Sequence, residues 1–244
     1  MSLPFLIIQL RPEDETADNE LEAIKLYGGL SDEEVVRVRV EKNGLPEIDL
    51  NDFAAIIVGG SPFDISTPAQ NKSEIQQQIE SGFNKLFERL VEIDFPFLGC
   101  CSGNGLLGSY CGTNISNKYA EAVGGVDVSL TAAGKLDPLL QGLPGTFRVL
   151  LGHKEACDTV PSGSVLLASS SACPVQMFRV KRNIYATQFH PEGDAEGFTV
   201  RINIYKDHGY FPSDSAQKLI ESIKNENTPH AQSLLKRFVD RYRK

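Results

Sequence analysis

Apolar positions along the chain fall into short continuous runs, separated by longer stretches where apolar and polar residues alternate with helical spacing. Residues 5–10, 54–58 and 95–100 are runs of the first kind, the second ending in Gly59-Gly60. Continuous β-branched runs of this length read as strands buried on both faces. Residues 13–27 and 72–93 read as helices, and 35–40, where Val alternates with Arg, as another strand. This alternation predicts an α/β fold with a mainly parallel central sheet and helices on both faces. From about residue 123 the texture changes. Residues 123–130, 147–151, 165–168, 175–180 and 184–189 are closely spaced strands with Pro/Gly turns, predicting a β-rich insertion or an antiparallel extension of the same sheet. The last fifty residues predict helices over about 195–208, 213–225 and 229–243. No repeat or linker divides the chain, so one domain is expected over 1–244, with a core of about 5–210 and a helical C-terminal extension of about 211–244.

Composition narrows the classes. With 41% hydrophobic and 23% charged residues in 244, the chain can close a sizeable core, which excludes disorder as its main state. A net charge of -8, from 24 Lys+Arg and 32 Asp+Glu, argues against nucleic acid or an anionic membrane as partner. The basic tail of Lys236, Arg237, Arg241, Arg243 and Lys244 reads as a solvated helix face. No apolar run approaches the ~18 residues that span a bilayer, and no signal-like start precedes the first strand. Five cysteines, an odd number without a Cys-x-x-Cys pair, point to a reduced cytoplasmic compartment and away from a disulfide framework or a zinc knuckle. No metal or cofactor is expected.

Three segments carry candidate chemistry. In Leu98-Gly99-Cys100-Cys101-Ser102-Gly103-Asn104-Gly105, a Gly-x-Cys-x-Gly pattern joins a buried strand to a predicted helix, the cysteine version of a nucleophile elbow. The nucleophile at such a tip has a strained backbone, and side chains two residues to either side would meet neighbouring backbone. A sulfur at the start of the following helix is expected to gain thiolate character. The pattern alone fits a small buried cysteine equally well. Cys100, Cys111, Cys157 and Cys173 are read as structural. The second segment ends a strand in His190-Pro191-Glu192. Residues two apart on an extended chain point the same way, so Glu192 is placed to orient the His190 imidazole. A lone histidine after a strand is more often a surface residue, and His208 and His230 are read that way. The third, Ile57-Val58-Gly59-Gly60-Ser61-Pro62, can turn the Gly60 N–H towards a site; with the Ser102 N–H it would form a two-donor oxyanion hole, though it also reads as an ordinary turn.

In this order the three segments resemble the class I (triad-type) glutamine amidotransferase superfamily, and within it the glutaminase domain of GMP synthases. The loop at Gly59-Gly60-Ser61-Pro62, Pro96-Phe97-Leu98-Gly99-Cys100-Cys101-Ser102-Gly103 and Thr187-Gln188-Phe189-His190-Pro191-Glu192 carry the resemblance, over roughly residues 5–210. Asp137-Pro138-Leu139 and Pro174-Val175-Gln176-Met177-Phe178 fit between them, and His153 stands where the family has a histidine beside the glutamine pocket. The resemblance implies a flavodoxin-like three-layer sandwich. Cys101 would attack a γ-carboxamide, His190 would serve as base and then acid, and Glu192 would orient it. The N–H groups of Gly60 and Ser102 would hold the oxyanion, with Gly59 and His153 at the substrate. A γ-glutamyl thioester would form, and the ammonia would pass to a synthase domain or partner.

The chain departs from the family where Gly105 replaces the usual glutamine after the elbow, and where Gly152 and Lys154 flank His153. Loss of that glutamine is expected to open the pocket to larger γ-glutamyl compounds; Lys154 would then stand to pair with a substrate carboxylate, although a solvated lysine is the preferred reading of it. The expected activity is hydrolysis of the γ-carboxamide of glutamine. A γ-glutamyl peptidase or hydrolase is the alternative, and a non-catalytic regulatory protein the second. Gly124-Gly125-Val126-Asp127 echoes an ATP-pyrophosphatase loop without its serines and is expected to be a turn between strands. The C-terminal helices are expected either to pack on the domain or to form a homodimer contact.

Overall fold

The computed structural model describes residues 3–207 and 211–243. Its main sheet has nine strands. The first five in spatial order are β2 (Val35–Arg39), β1 (Phe5–Gln9), β3 (Ala55–Val58), β4 (Phe97–Cys100) and β11 (Ile184–Thr187), all mutually parallel. The remaining four are β10 (Met177–Val180), β9 (Ser164–Ser169), β6 (Glu121–Leu130) and β7 (Thr146–His153), joined antiparallel. The late strands are therefore an extension of the same sheet. A separate two-stranded pair joins β5 (Ile115–Ser116) and β8 (Ala156–Cys157).

Strand alternation divides the core between the two faces of the sheet. Phe5 and Ile7 point to one face, against Ile24 of α1 (Asp14–Gly28) and Leu234 and Phe238 of α8 (Pro229–Tyr242). Leu6 and Ile8 point to the other, against Ile79, Phe83, Phe87 and Leu90 of α3 (Glu74–Ile93) and Leu107 of α4 (Ser102–Tyr110). Continuous apolar runs are what two covered faces require, and the layers are helix, sheet and helix. Two minor helices, α2 (Val40–Asn43) and α5 (Ala132–Leu136), precede α6 (Ala195–Tyr205) and α7 (Ala216–Ile223).

Two expectations resolve here. The apolar stripe of α8, formed by Ala231, Leu234, Leu235, Phe238, Val239 and Tyr242, is buried on its own chain's sheet rather than left for a second copy. Gly124-Gly125 is not a turn but lies inside β6, paired with Leu151 and Leu150 of β7. A Cβ on Gly125 would come within 2.3 Å of the Glu226 carboxyl, which Arg148 grips at 2.6 and 2.8 Å. The glycine makes room for that ion pair.

Candidate active site

The site is built where β4 and β11 lie side by side, at the carboxyl ends of the parallel strands, the usual ligand position in such sheets. Cys101 follows β4 directly, with φ 53° and ψ −96°, a positive-φ conformation outside the left-handed helical region that a non-glycine residue adopts only under constraint. Its N–H donates to the Thr187 carbonyl at the end of β11 (2.8 Å). Its own carbonyl accepts from the N–H groups of Asn104 (2.9 Å) and Gly105 (3.2 Å) in α4. Of the flanking glycines, Gly99 is a steric requirement and Gly103 relieves a tight contact. A Cβ on Gly99 would lie 2.7 Å from the backbone carbon of Gly103, and one on Gly103 would press on Val58 at 3.3 Å.

Because β11 neighbours β4, the residues just past its end arrive beside the cysteine. The His190 N–H donates to Leu150 of β7 (3.0 Å), and its Nδ1 bonds Glu192 Oε1 at 2.7 Å. That leaves Nε2 as the nitrogen available to a reaction. Arg201 of α6 donates from Nη2 to the same Glu192 oxygen (3.0 Å), and its Nη1 lies 3.2 Å from His190 Nδ1. All three side chains are buried. Burial pushes the His190 imidazole below its ordinary value, against the pull of Glu192. Burial would raise the Glu192 carboxyl, but the imidazole and the Arg201 guanidinium outweigh it and hold that carboxyl well below the usual carboxylate range. The Cys101 thiol is pushed up to about 12 by desolvation, with the Arg11 guanidinium pulling the other way. The resting pair is therefore a neutral thiol beside a neutral imidazole, not the thiolate that the helix start alone suggests. A thiol in that state reacts when a base takes its proton during attack.

Two small cavities meet at Cys101. One is lined by His190, Arg11, Arg201, Val123, Phe198 and Tyr205; the other by Ser102, Gly105, His153, Lys154, Glu155 and Gln188. Ser61 and Gly152 border both. Ser102 is the first residue of α4, where backbone N–H groups have no intrahelical acceptor, and its hydroxyl bonds that of Ser61 (2.8 Å). The Gly60 N–H differs from expectation. It donates to Glu20 Oε1 of α1 (3.2 Å), a fully buried carboxylate behind the loop.

The family model for glutamine amidotransferase class-I matches residues 18–202, most of the chain. The chain belongs to this family. Among curated proteins it is 27% identical over 165 residues to a GMP synthase (glutamine-hydrolyzing) subunit of Methanobrevibacter smithii, covering 66% of this chain and 77% of that one. It is 25% identical over 168 residues to the corresponding GMP synthase subunit of Archaeoglobus fulgidus, covering 68% and 81%. The match to the longer GMP synthase of Streptomyces coelicolor, at 27% identity, covers 60% of this chain but only 25% of that protein. A glutamine amidotransferase structure from Thermotoga maritima superposes with a TM-score of 0.75 at 21% identity, covering 97% of this chain and 98% of the other. That likeness extends to the mixed, largely parallel sheet.

Within this amidotransferase the expected substrate residues fall in different places. Gly59 lines neither cavity; a Cβ there would sit 2.3 Å from Glu20 Oε2, so its service is to packing. Gly105 lines the second cavity, and the atom nearest to where its side chain would begin is the terminal Cδ1 of Ile65, 2.7 Å away. His153 forms part of the wall with both nitrogens engaged, Nδ1 with the Glu155 carbonyl (3.1 Å) and Nε2 with the Glu121 carboxylate (2.9 Å). Lys154 pairs with Asp64 across the same cavity (3.0 Å). Among the described residues, Glu121, His153 and Cys173 form the one group with metal-type ligand atoms, within 4.8 Å of one another. His153 and Gln176 bond Glu121 directly, closing the group on itself as a brace between strands.

The other histidines and cysteines lie elsewhere. His230 packs against Phe147, and His208 lies outside the described residues. All five cysteines are free thiols; Cys100, Cys157 and Cys173 are buried, and Cys111 half-buried. Three charged residues of the site, Arg11, Glu20 and Arg201, belong to none of the sequence motifs. Their one signal is a charge set among apolar residues. Arg11 ends the first strand run, Glu20 falls on the stripe of Ala17 and Ile24, and Arg201 sits between Val200 and Ile202.

Proposed function

We propose that the chain is a cysteine amidohydrolase that cleaves the γ-carboxamide of glutamine through Cys101, His190 and Glu192. One observation carries the reading: a strained elbow cysteine shares a cavity with a histidine whose far nitrogen is bound by a buried carboxylate at 2.7 Å. As the Sγ–C bond forms, the thiol proton moves to His190 Nε2 and the carbonyl π pair moves onto oxygen. Collapse restores the C=O, breaks C–N and returns that proton to the leaving nitrogen, so ammonia departs and a γ-glutamyl thioester remains. Water, deprotonated by the same imidazole, hydrolyses it to glutamate. The relatives named as separate subunits of GMP synthases support a synthase partner on another chain as ammonia acceptor. Five free thiols fit a reducing cytoplasmic setting.

A second reading has its own observation. The leaving group must depart on the His190 side, and the cavity there is walled by Val123, Phe198, Ile202, Tyr205 and Phe211, more apolar surface than ammonia needs. That wall would suit a small apolar group on the amine of a γ-glutamyl amide. The test is glutamate release from L-glutamine and from a panel of γ-glutamyl dipeptides, with wild type and Cys101→Ala. Release from glutamine that the variant abolishes supports the glutaminase; turnover of dipeptides alone supports the second reading. Turnover that survives Cys101→Ala removes both readings and puts the chemistry on another residue; no turnover together with a Cys101 that no electrophile labels leaves a non-catalytic protein.

A further inference from the structure

The sequence pattern assigns two backbone donors to the oxyanion, and one of them is turned away. The Gly60 N–H is given to Glu20 beneath the loop. What stands above the loop is a side chain. At the point where a Gly60 Cβ would sit, Arg11 Nη2 lies 2.7 Å away and His190 Cε1 2.8 Å away. The guanidinium is thus over the oxyanion loop, on the side of the catalytic imidazole and in the cavity that contains Cys101. Its orientation is fixed from behind. Arg11 Nε donates to Glu20 Oε1 (2.7 Å), Nη1 to the Tyr205 hydroxyl (3.4 Å), and the guanidinium carbon sits 5.9 Å from the centre of that tyrosine ring. Nη2 has no hydrogen-bond partner among the described residues. Glu20 therefore does two things with one oxygen: it withdraws the Gly60 N–H and it aims the arginine.

We propose that Arg11 is a catalytic residue, its Nη2 acting as the second oxyanion donor beside the Ser102 N–H, in place of the Gly60 backbone. This rests on the cysteine amidohydrolase reading above. When the carbonyl π pair moves onto oxygen, the new negative charge forms beside a fixed, permanently charged, planar donor. The same charge favours the thiolate of Cys101 before attack, which gives a readout independent of any substrate. Gly60 is then required not for its N–H but for the space a Cβ would deny the guanidinium. Removing one oxyanion donor costs about 10²–10³ in kcat in enzymes that use preorganised holes.

The test compares wild type, Arg11→Lys, Arg11→Gln and the double variant Arg11→Gln/Glu20→Gln, in which neither member of the buried ion pair is left as an unpaired charge. On whichever amide the wild type hydrolyses, the double variant is expected to lose about 10²-fold in kcat with KM within about threefold, and Arg11→Lys to recover part of the loss. A kcat within threefold of wild type, or a loss confined to KM, overturns the proposal. In parallel, the rate of Cys101 alkylation by iodoacetamide at pH 8 is followed by peptide mass spectrometry and normalised to the urea-unfolded chain. It is expected to fall about tenfold without Arg11, the change that one pKa unit produces. An unchanged rate also overturns the proposal. If the wild type hydrolyses none of the amides while Cys101 alkylates normally, the amidohydrolase reading fails, and the alkylation rates alone still decide whether the Arg11 charge acts at the sulfur.

Discussion

At Gly59 the backbone passes so close to Glu20 that a Cβ would lie 2.3 Å from Oε2. Overpacking of that kind costs about 1–3 kcal/mol, and the carboxylate it displaces also holds the Gly60 N–H and Arg11. Gly59→Ala is therefore expected to lower both stability and kcat. In urea unfolding, Gly59→Ala/Glu20→Ala should be less destabilised than the two single variants added together, because removing the carboxylate returns the space. Strict additivity would mean that the alanine finds its room elsewhere. The same residues mark how far the sequence can be read at this scale. Cys101, His190 and Glu192 lie in local motifs whose spacing has a geometric meaning, so they stand out along the chain. Glu20 does not, since it meets Arg11 nine residues away and Gly60 forty away, and nothing local announces either contact. Only its place on the buried stripe of α1 hints at it, a position where a charge needs partners.

Among elements, α8 shows what amphipathicity does and does not say. Its stripe announces that one face is covered and is silent about the cover; here it is the sheet face formed by Phe5 and Ile7. Phe238 is fully buried, edge-on to Tyr185 (ring centres 6.5 Å apart) and Tyr242 (4.9 Å). Phe238→Ala is expected to cost about 3–5 kcal/mol in urea unfolding, as for other large buried aromatics. Phe238 lines neither cavity at Cys101, so kcat at temperatures where the variant stays folded should be unchanged. A stability loss below about 1 kcal/mol would mean that α8 is a loosely held appendage. The strand β6 misleads in the opposite way. Two consecutive glycines erase its two-residue alternation, and the reason for one of them, the Arg148–Glu226 pair, involves a residue 101 positions later in the chain.

Across the whole molecule, the site draws on both halves of the sheet. Cys101 comes from the parallel half, while the His190 backbone is tied to β7 of the antiparallel half and Arg201 comes from α6. Burial in that seam is what keeps the imidazole neutral, below its ordinary 6.5. The acid limb of activity should accordingly fall below pH 6.5. The sign for stability is the same. The native imidazole binds fewer protons than the unfolded one, so stability declines as pH drops through 6.5 towards the native value. The depressed Glu192 contributes stability above its ordinary 4.5 that is lost on further acidification. Glu192 raises the imidazole and Arg201 lowers it, so removing each should move the limb in opposite directions. Glu192→Gln is expected to shift it to lower pH and Arg201→Gln to higher pH, read from kcat/KM against pH. The variants' residual activity need not be high, because the His190 Hε1 resonance, assigned by its loss in His190→Gln, reports the same proton by NMR titration. Shifts in the same direction, or none, would mean that the limiting proton is not on this imidazole. In that case the link between Glu192, His190 and Cys101 would be structural rather than catalytic.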